Sequence, residues 1–128
     1  MTLKPAQQPL PALWKRTLTD IDDLTPNGSV PFAHTERLLV PKRAGVYLIH
    51  DLRGPLYVGA TADFTRRFHE HFWLPTNAEL AHAVAVPFGQ TLFTWFLKAD
   101  RKERFALERR LIRDLFPACN QSTKNPTN

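Results

Sequence analysis

The chain has 128 residues, 43% of them apolar and 23% charged, which suits one domain around one core and not a disordered chain. A formal net charge of +5 favours a polyanionic partner, nucleic acid or an anionic surface. Cys119 is the single cysteine, which excludes an intrachain disulfide and a cysteine-cluster zinc site. No apolar run approaches the ~20 residues of a membrane helix, so no membrane partner is expected. The N-terminus does not read as a signal peptide, and a reducing cytoplasm is the expected compartment.

Residues 1–12, with Pro5, Pro9 and Pro11, read as an irregular arm. Leu13, Trp14, Leu18, Ile21 and Leu24 then recur at helical spacing and predict a short amphipathic helix. The breaker cluster Thr25–Pro31 ends it. GVYLIH (Gly45–His50) and LYVG (Leu56–Gly59) are strand candidates. The turn-rich DLRGP between them makes a hairpin with a loop of about five residues. Asp63–Trp73 shifts to helical spacing, with Phe64, Phe68 and Phe72 on one stripe and Thr61 or Asp63 as its cap. Pro75–Gln90 reads as a short helix or loop, and Thr91–Leu97 as a third strand. Arg101–Phe116 is a helix closed by Pro117. The order (α)-β-β-α-β-α predicts an α+β domain, a small three-stranded sheet flanked by helices. Its expected limits are an arm over residues 1–40, the domain over 41–121 and a polar tail over 122–128.

If His50 pairs with Leu56, then Ile49 faces Tyr57 and Tyr47 faces Gly59, which sets the two tyrosines diagonally on one sheet face. Gly59 then leaves room opposite Tyr47 for a ligand or another backbone. Two tyrosines also simply suit a half-buried strand. Arg67 and His71, at i and i+4, border the phenylalanine stripe. There an arginine either snorkels or presents its guanidinium to a phosphate. In the last helix the apolar arc of Phe105, Leu111, Ile112 and Leu115 centres on Glu108. A carboxylate so placed needs a cation: a salt-bridge partner, Arg67 among the candidates, or a divalent metal. Arg101, Lys102, Arg104, Arg109, Arg110 and Arg113 give that helix a basic face that would suit a DNA backbone. The histidines form no HExxH pattern, and glycine-rich phosphate loops and a nucleophile elbow are absent.

The motifs GVY at Gly45–Tyr47 and YVG at Tyr57–Gly59, Arg67 and His71 in DFTRRFHEHF, and Glu108 and Asn120 in and after ALERRLIRDLFPACN occur in order on matching elements. Together they resemble the GIY-YIG nuclease family, over about Lys42 to Gln121, with valine for isoleucine at 46 and 58. The helix around Arg67 is similar to that of phage homing endonucleases. The Glu–Pro–Asn order is similar to that of the nuclease domain of the bacterial excision-repair incision subunit. The resemblance implies hydrolysis of DNA phosphodiesters with one divalent metal ion, Mg²⁺ or Mn²⁺. It assigns Glu108 to the metal, Arg67 to the scissile phosphate and Tyr47 or Tyr57 to the attacking water. Tyr47 is favoured for the open space opposite Gly59. His71 would relay a proton or touch phosphate, and Asn120 would serve the metal shell or DNA. Arg66 and Arg109 would add substrate contacts, while Gly45 and Gly59 would be structural. The alternatives are a weak or inactive module that binds nucleic acid or a protein partner, and a nuclease acting on RNA or recruited by such a partner. The helix with Trp14 is the candidate docking element, against the somewhat favoured alternative that it packs on this domain's own core.

Overall fold

A computed structural model of the chain describes residues 24–120. The helix expected over Leu13–Leu24 lies outside them except for its last residue, as does the tail 122–128. Four strands form one antiparallel sheet: β1 (Gly28–Pro31), β2 (Gly45–Asp51), β3 (Gly54–Thr61) and β4 (Leu92–Leu97), in the order β1-β4-β2-β3. A 3-10 helix (His34–Leu39) follows β1. The helices are α1 (Phe64–Trp73), α2 (Ala78–Ala85) and α3 (Arg101–Leu115).

The fourth strand corrects the expected three. Residues 28–31, expected to be only a breaker, pair along β4, so the sheet draws on the stretch assigned to the arm. Their glycine and proline are tolerated because β1 is an edge. Val30 is fully buried, and the Ser29 and Thr94 hydroxyls bond at 2.8 Å. Gly28 leaves room for the Trp95 indole, whose Cε2 a Cβ would meet at 2.6 Å.

The hairpin register holds where it matters: Ile49 pairs with Tyr57 and Tyr47 with Gly59. His50, however, pairs with Pro55 and not Leu56, because an irregularity falls between Ile49 and His50. The turn is also tighter than DLRGP suggested, since Asp51 already pairs with Gly54. Asp51 accepts the Arg53 N–H at 2.8 Å and its guanidinium at 2.6 Å, and Gly54 takes the left-handed φ of 103° that glycine adopts without strain.

Both sheet faces are covered. Tyr47, Ile49, Phe93 and Trp95 pack with Phe64 and Phe68 of α1, whose cap is Asp63. Val46, Leu48, Val58 and Phe96 pack with Leu107, Leu111 and Leu115 of α3, capped by Asp100. The buried stripe of α3 is therefore Arg104, Leu107, Leu111 and Leu115, while Phe105 is 36% exposed. This moves Glu108 from the centre of the apolar face, where the sequence put it, to its border. Buried Arg104 donates to the Lys98 and Ala99 carbonyls at 3.3 and 3.1 Å. Phe116, expected as the last helical residue, is the left-handed cap at φ 49°.

Beyond α3 the chain lies along the free edge of β3. Ala118 and Cys119 donate to the Pro55 and Leu56 carbonyls at 3.0 and 2.7 Å. Asn120 completes the cover: its Oδ1 accepts the Val58 N–H at 2.7 Å and its Nδ2 donates to the Val58 carbonyl at 2.9 Å. An edge that would otherwise template aggregation is closed.

Candidate active site

The β2–β3 hairpin and α1 bring Tyr47, Tyr57 and His71 into contact, and Arg67 of α1 and Glu108 of α3 stand close enough for their charges to act on the tyrosines. Tyr47 is 1% exposed, its ring stacked on Phe93 at 5.0 Å. Its hydroxyl lies 2.7 Å from Nε2 of His71. The space opposite Gly59 is not open, as was expected, but filled by Tyr47 itself: a Cβ on Gly59 would meet the Tyr47 hydroxyl and lie 2.5 Å from its Cζ. The ground for favouring Tyr47 as the water-facing hydroxyl is thereby removed. Tyr57 is half-buried, its ring centre 6.1 Å from that of Tyr47 and 5.4 Å from that of His71. At Gly45 a Cβ would lie 2.6 Å from the Phe64 ring.

Burial sets the electrostatics. It raises Tyr47 well above the usual tyrosine value, Tyr57 adding to the rise and Arg67 opposing it. Tyr57 is raised by burial and eased by Arg67. His71 is lowered to about 4, first by burial and then by Arg67, so it is neutral at pH 7. Glu108 is half-buried and raised by burial, against the Ala60 backbone N–H, Arg109 and Arg67, which favour its charge.

The ion pair between Glu108 and Arg67 that the sequence left open is absent. Arg67 Nε lies 3.5 Å from Oε1 of Glu70, without the geometry of a hydrogen bond. Among the described residues no cationic side chain comes within 4.0 Å of the Glu108 carboxylate. Arg67 is instead 37% exposed and lines a groove of about 290 Å³ with Glu70, His71, Leu74 and Thr76. Glu70 also meets Arg66 at 3.9 Å. The sequence reading passed over Glu70, although its i+3 and i+4 spacing from the arginines was the available signal. Arg66 and Arg109 are exposed and stand outside this cluster's interior. Asn120, expected to serve metal or DNA, is 4% exposed and spends its amide on Val58.

A half-buried carboxylate without a cation fits a divalent metal. Among the described residues no group of three or more His, Cys, Asp or Glu side chains could cage an ion. The donor set therefore suits a hard ion that keeps water and substrate oxygens as most of its ligands. A sequence model of the GIY-YIG catalytic domain matches residues 43–121. The chain belongs to the GIY-YIG family.

Solved structures agree on the fold. The GIY-YIG N-terminal endonuclease domain of UvrC from Thermotoga maritima, bound to magnesium as its catalytic cation, matches at 21% identity and a TM-score of 0.54, over 66% of this chain and 90% of that one. A tyrosine-to-phenylalanine point mutant of that domain matches at 20% identity and 0.54, over 66% and 90%. An asparagine-to-alanine mutant matches at 21% and 0.53, over 66% and 89%. No curated protein sequence matches. The antiparallel sheet flanked by helices is thus a GIY-YIG fold, and residues 43–121 are a GIY-YIG catalytic domain. Among the described residues no helix is long and apolar enough to cross a membrane.

Proposed function

We propose that the chain is a metal-dependent endonuclease that hydrolyses DNA phosphodiester bonds in the cytoplasm, with residues 41–121 as its catalytic unit and β1 added to that unit's sheet. The observation that carries this is the Glu108 carboxylate, half-buried, without a cationic partner, and close enough to Arg67 and both tyrosines for their charges to act on one another. The magnesium bound by the related UvrC domain supports the choice of Mg²⁺, and Mn²⁺ satisfies the same oxygen donor. When bound, such an ion supplies Lewis-acid stabilisation of charge on the phosphate.

The remaining work falls to side chains. Glu108 holds the ion, and the Ala60 backbone N–H donates to its carboxylate and favours its charged form. Arg67 offers its groove-facing guanidinium to the scissile phosphate, a geometry suited to bidentate contact. Tyr57, the more exposed tyrosine, orients the attacking water and takes its proton at the hydroxyl oxygen as the phenolic proton of Tyr57 passes to neutral His71. Arg67 supplies positive charge that favours its phenolate. Tyr47 stays buried and fixes the His71 ring through their hydrogen bond. Neutral His71 receives or passes a proton at a ring nitrogen. Asn120 acts from behind, holding the β3 backbone that carries Tyr57. Arg66 and Arg109 add exposed positive charge for the DNA backbone.

The test is incubation of the purified chain with supercoiled plasmid, single-stranded DNA and RNA, in Mg²⁺, Mn²⁺ or EDTA. DNA cleavage that needs the divalent ion is the expected result. No cleavage under any condition, or cleavage of RNA alone, would contradict the proposal.

A further inference from the structure

The C-terminal end of α1 carries an aromatic surface that neither the core nor the cluster around Arg67 uses. Trp73 is 57% exposed. Its indole meets the His34 ring at 5.3 Å between centres and 81° between planes, and the His69 ring at 6.3 Å and 48°. Both histidines are exposed. His34 is held by Arg37, which donates a guanidinium N–H to its Nε2 at 3.2 Å, and by an edge contact with Phe72 at 6.3 Å.

The open indole offers one planar face, edged by the inclined His34 and His69 rings, and cations stand near it. Arg37 flanks it from the 3-10 helix, and Arg66 precedes Trp73 by two helical turns on the same side of α1. Glu70, between the groove and the indole, has its carboxylate shared by Arg66 and Arg67 at 3.9 and 3.5 Å, so the intervening surface keeps a positive balance. Arg67 and Trp73 are six residues apart on the helix, ~9 Å along its axis and about 120° around it, so a strand that meets both wraps partly around α1 over a few nucleotides.

We propose that Trp73, with His34 and His69, is a stacking platform for an unpaired base of the nucleic-acid strand whose scissile phosphate lies at Arg67. The inference rests on the nuclease reading above and adds a substrate class to it: single-stranded or locally opened nucleic acid. A base can stack on a protein ring only when it has left its own duplex stack. Stacking on aromatic faces tolerates any base and either sugar, so single strands of DNA and RNA both qualify.

The test uses the full chain as wild type, Trp73→Ala, Trp73→Leu and Trp73→Phe, in EDTA so that nothing is cut. Fluorescence anisotropy reads binding to short labelled single strands of DNA and RNA, to a matched DNA duplex, and to a single strand made abasic. Trp73→Ala and Trp73→Leu should weaken single-strand binding about tenfold, the scale of one lost stacked base, while Trp73→Phe keeps most of it. Duplex binding should not change, and the abasic strand should bind wild type and Trp73→Ala alike. Thermal midpoints should stay together, because an indole this exposed leaves no cavity. Trp73→Leu binding single strands as wild type does would overturn the platform alone and mark the patch as an apolar protein contact. Equal losses on duplex and single strand would also overturn it. Failure of the wild type to bind any nucleic acid would remove the nuclease reading, and the platform with it.

Discussion

The Tyr47 hydroxyl bonds Nε2 of His71 at 2.7 Å, and both partners are neutral at physiological pH. The pair is a buried neutral hydrogen bond that locks the orientation of the histidine. Tyr47→Phe keeps the ring over Gly59 and against Phe93 but strands a ring nitrogen, at a cost of about 1–3 kcal/mol. Tyr57→Phe keeps the fold and removes the hydroxyl nearer solvent. We expect single-turnover cleavage to fall by about 10²–10⁴ for Tyr57→Phe, on the scale of a general base, and by less for Tyr47→Phe. The reverse order would make Tyr47 the residue that meets the water.

Gly59→Ala should behave as a lesion of Tyr47. The added Cβ would collide with the Tyr47 ring, so either the ring leaves His71 or the hairpin shifts. A destabilisation of about 1–3 kcal/mol, the scale of overpacking, should accompany the loss of cleavage. Denaturant unfolding of the variant measures the first and a plasmid-nicking assay the second. Wild-type values in both would show that the strand absorbs the methyl without disturbing the tyrosine.

Acid should destabilise the protein through His50. Its ring is fully buried, bonded at Nε2 to the Thr94 hydroxyl at 2.7 Å, and burial lowers it from 6.5 to about 4. The unfolded chain therefore binds the proton first. The stability linked to His50 is complete above pH ~6.5 and is lost as pH falls toward 4, with a slope up to ~1.4 kcal/mol per pH unit. Thermal midpoints of wild type between pH 7 and pH 4 should drop, and those of His50→Gln should drop less. Parallel curves would place the acid sensitivity elsewhere.

Much of this arrangement was legible in the sequence, for physical reasons. Reading DLRGP as the loop between GVYLIH and LYVG gave the pairs Tyr47–Gly59 and Ile49–Tyr57, which hold although His50 itself pairs with Pro55. The i, i+4 phenylalanines placed α1, and with it Arg67 and His71 on one side. Strand β1 was not legible. Glycine and proline mark a turn locally, and only pairing with β4 turns them into an edge strand. Glu108 was misplaced by one step around α3, because Phe105 was counted as core and Leu107 was not. Of the two cations left open for that carboxylate, a salt-bridge partner and a metal, the salt-bridge partner is absent among the described residues. The position of Asn120 depends on a strand edge 62 residues away in sequence, which no local pattern encodes.

Asn120→Ala should act at a distance. It leaves the Val58 N–H and carbonyl without their side-chain partner in a buried setting, costing about 1–3 kcal/mol for each group left unsatisfied. The edge it releases carries Tyr57 on one side of Val58 and the Ala60 N–H of Glu108 on the other. We expect a lower thermal midpoint together with a lower kcat, and little change in KM. A raised KM at unchanged kcat and midpoint would instead mean that Asn120 touches substrate.

If Glu108 holds the ion on which cleavage depends, single-turnover DNA cleavage across a Mg²⁺ titration will separate wild type from Glu108→Gln, which keeps the size of the side chain and removes its charge. Wild type should be silent in EDTA and active with the ion. Glu108→Gln should lose about a hundredfold or more at saturating Mg²⁺, the scale of one positioned electrostatic partner. A Glu108→Gln chain that cuts at the wild-type rate, or wild-type cleavage indifferent to EDTA, would contradict the account.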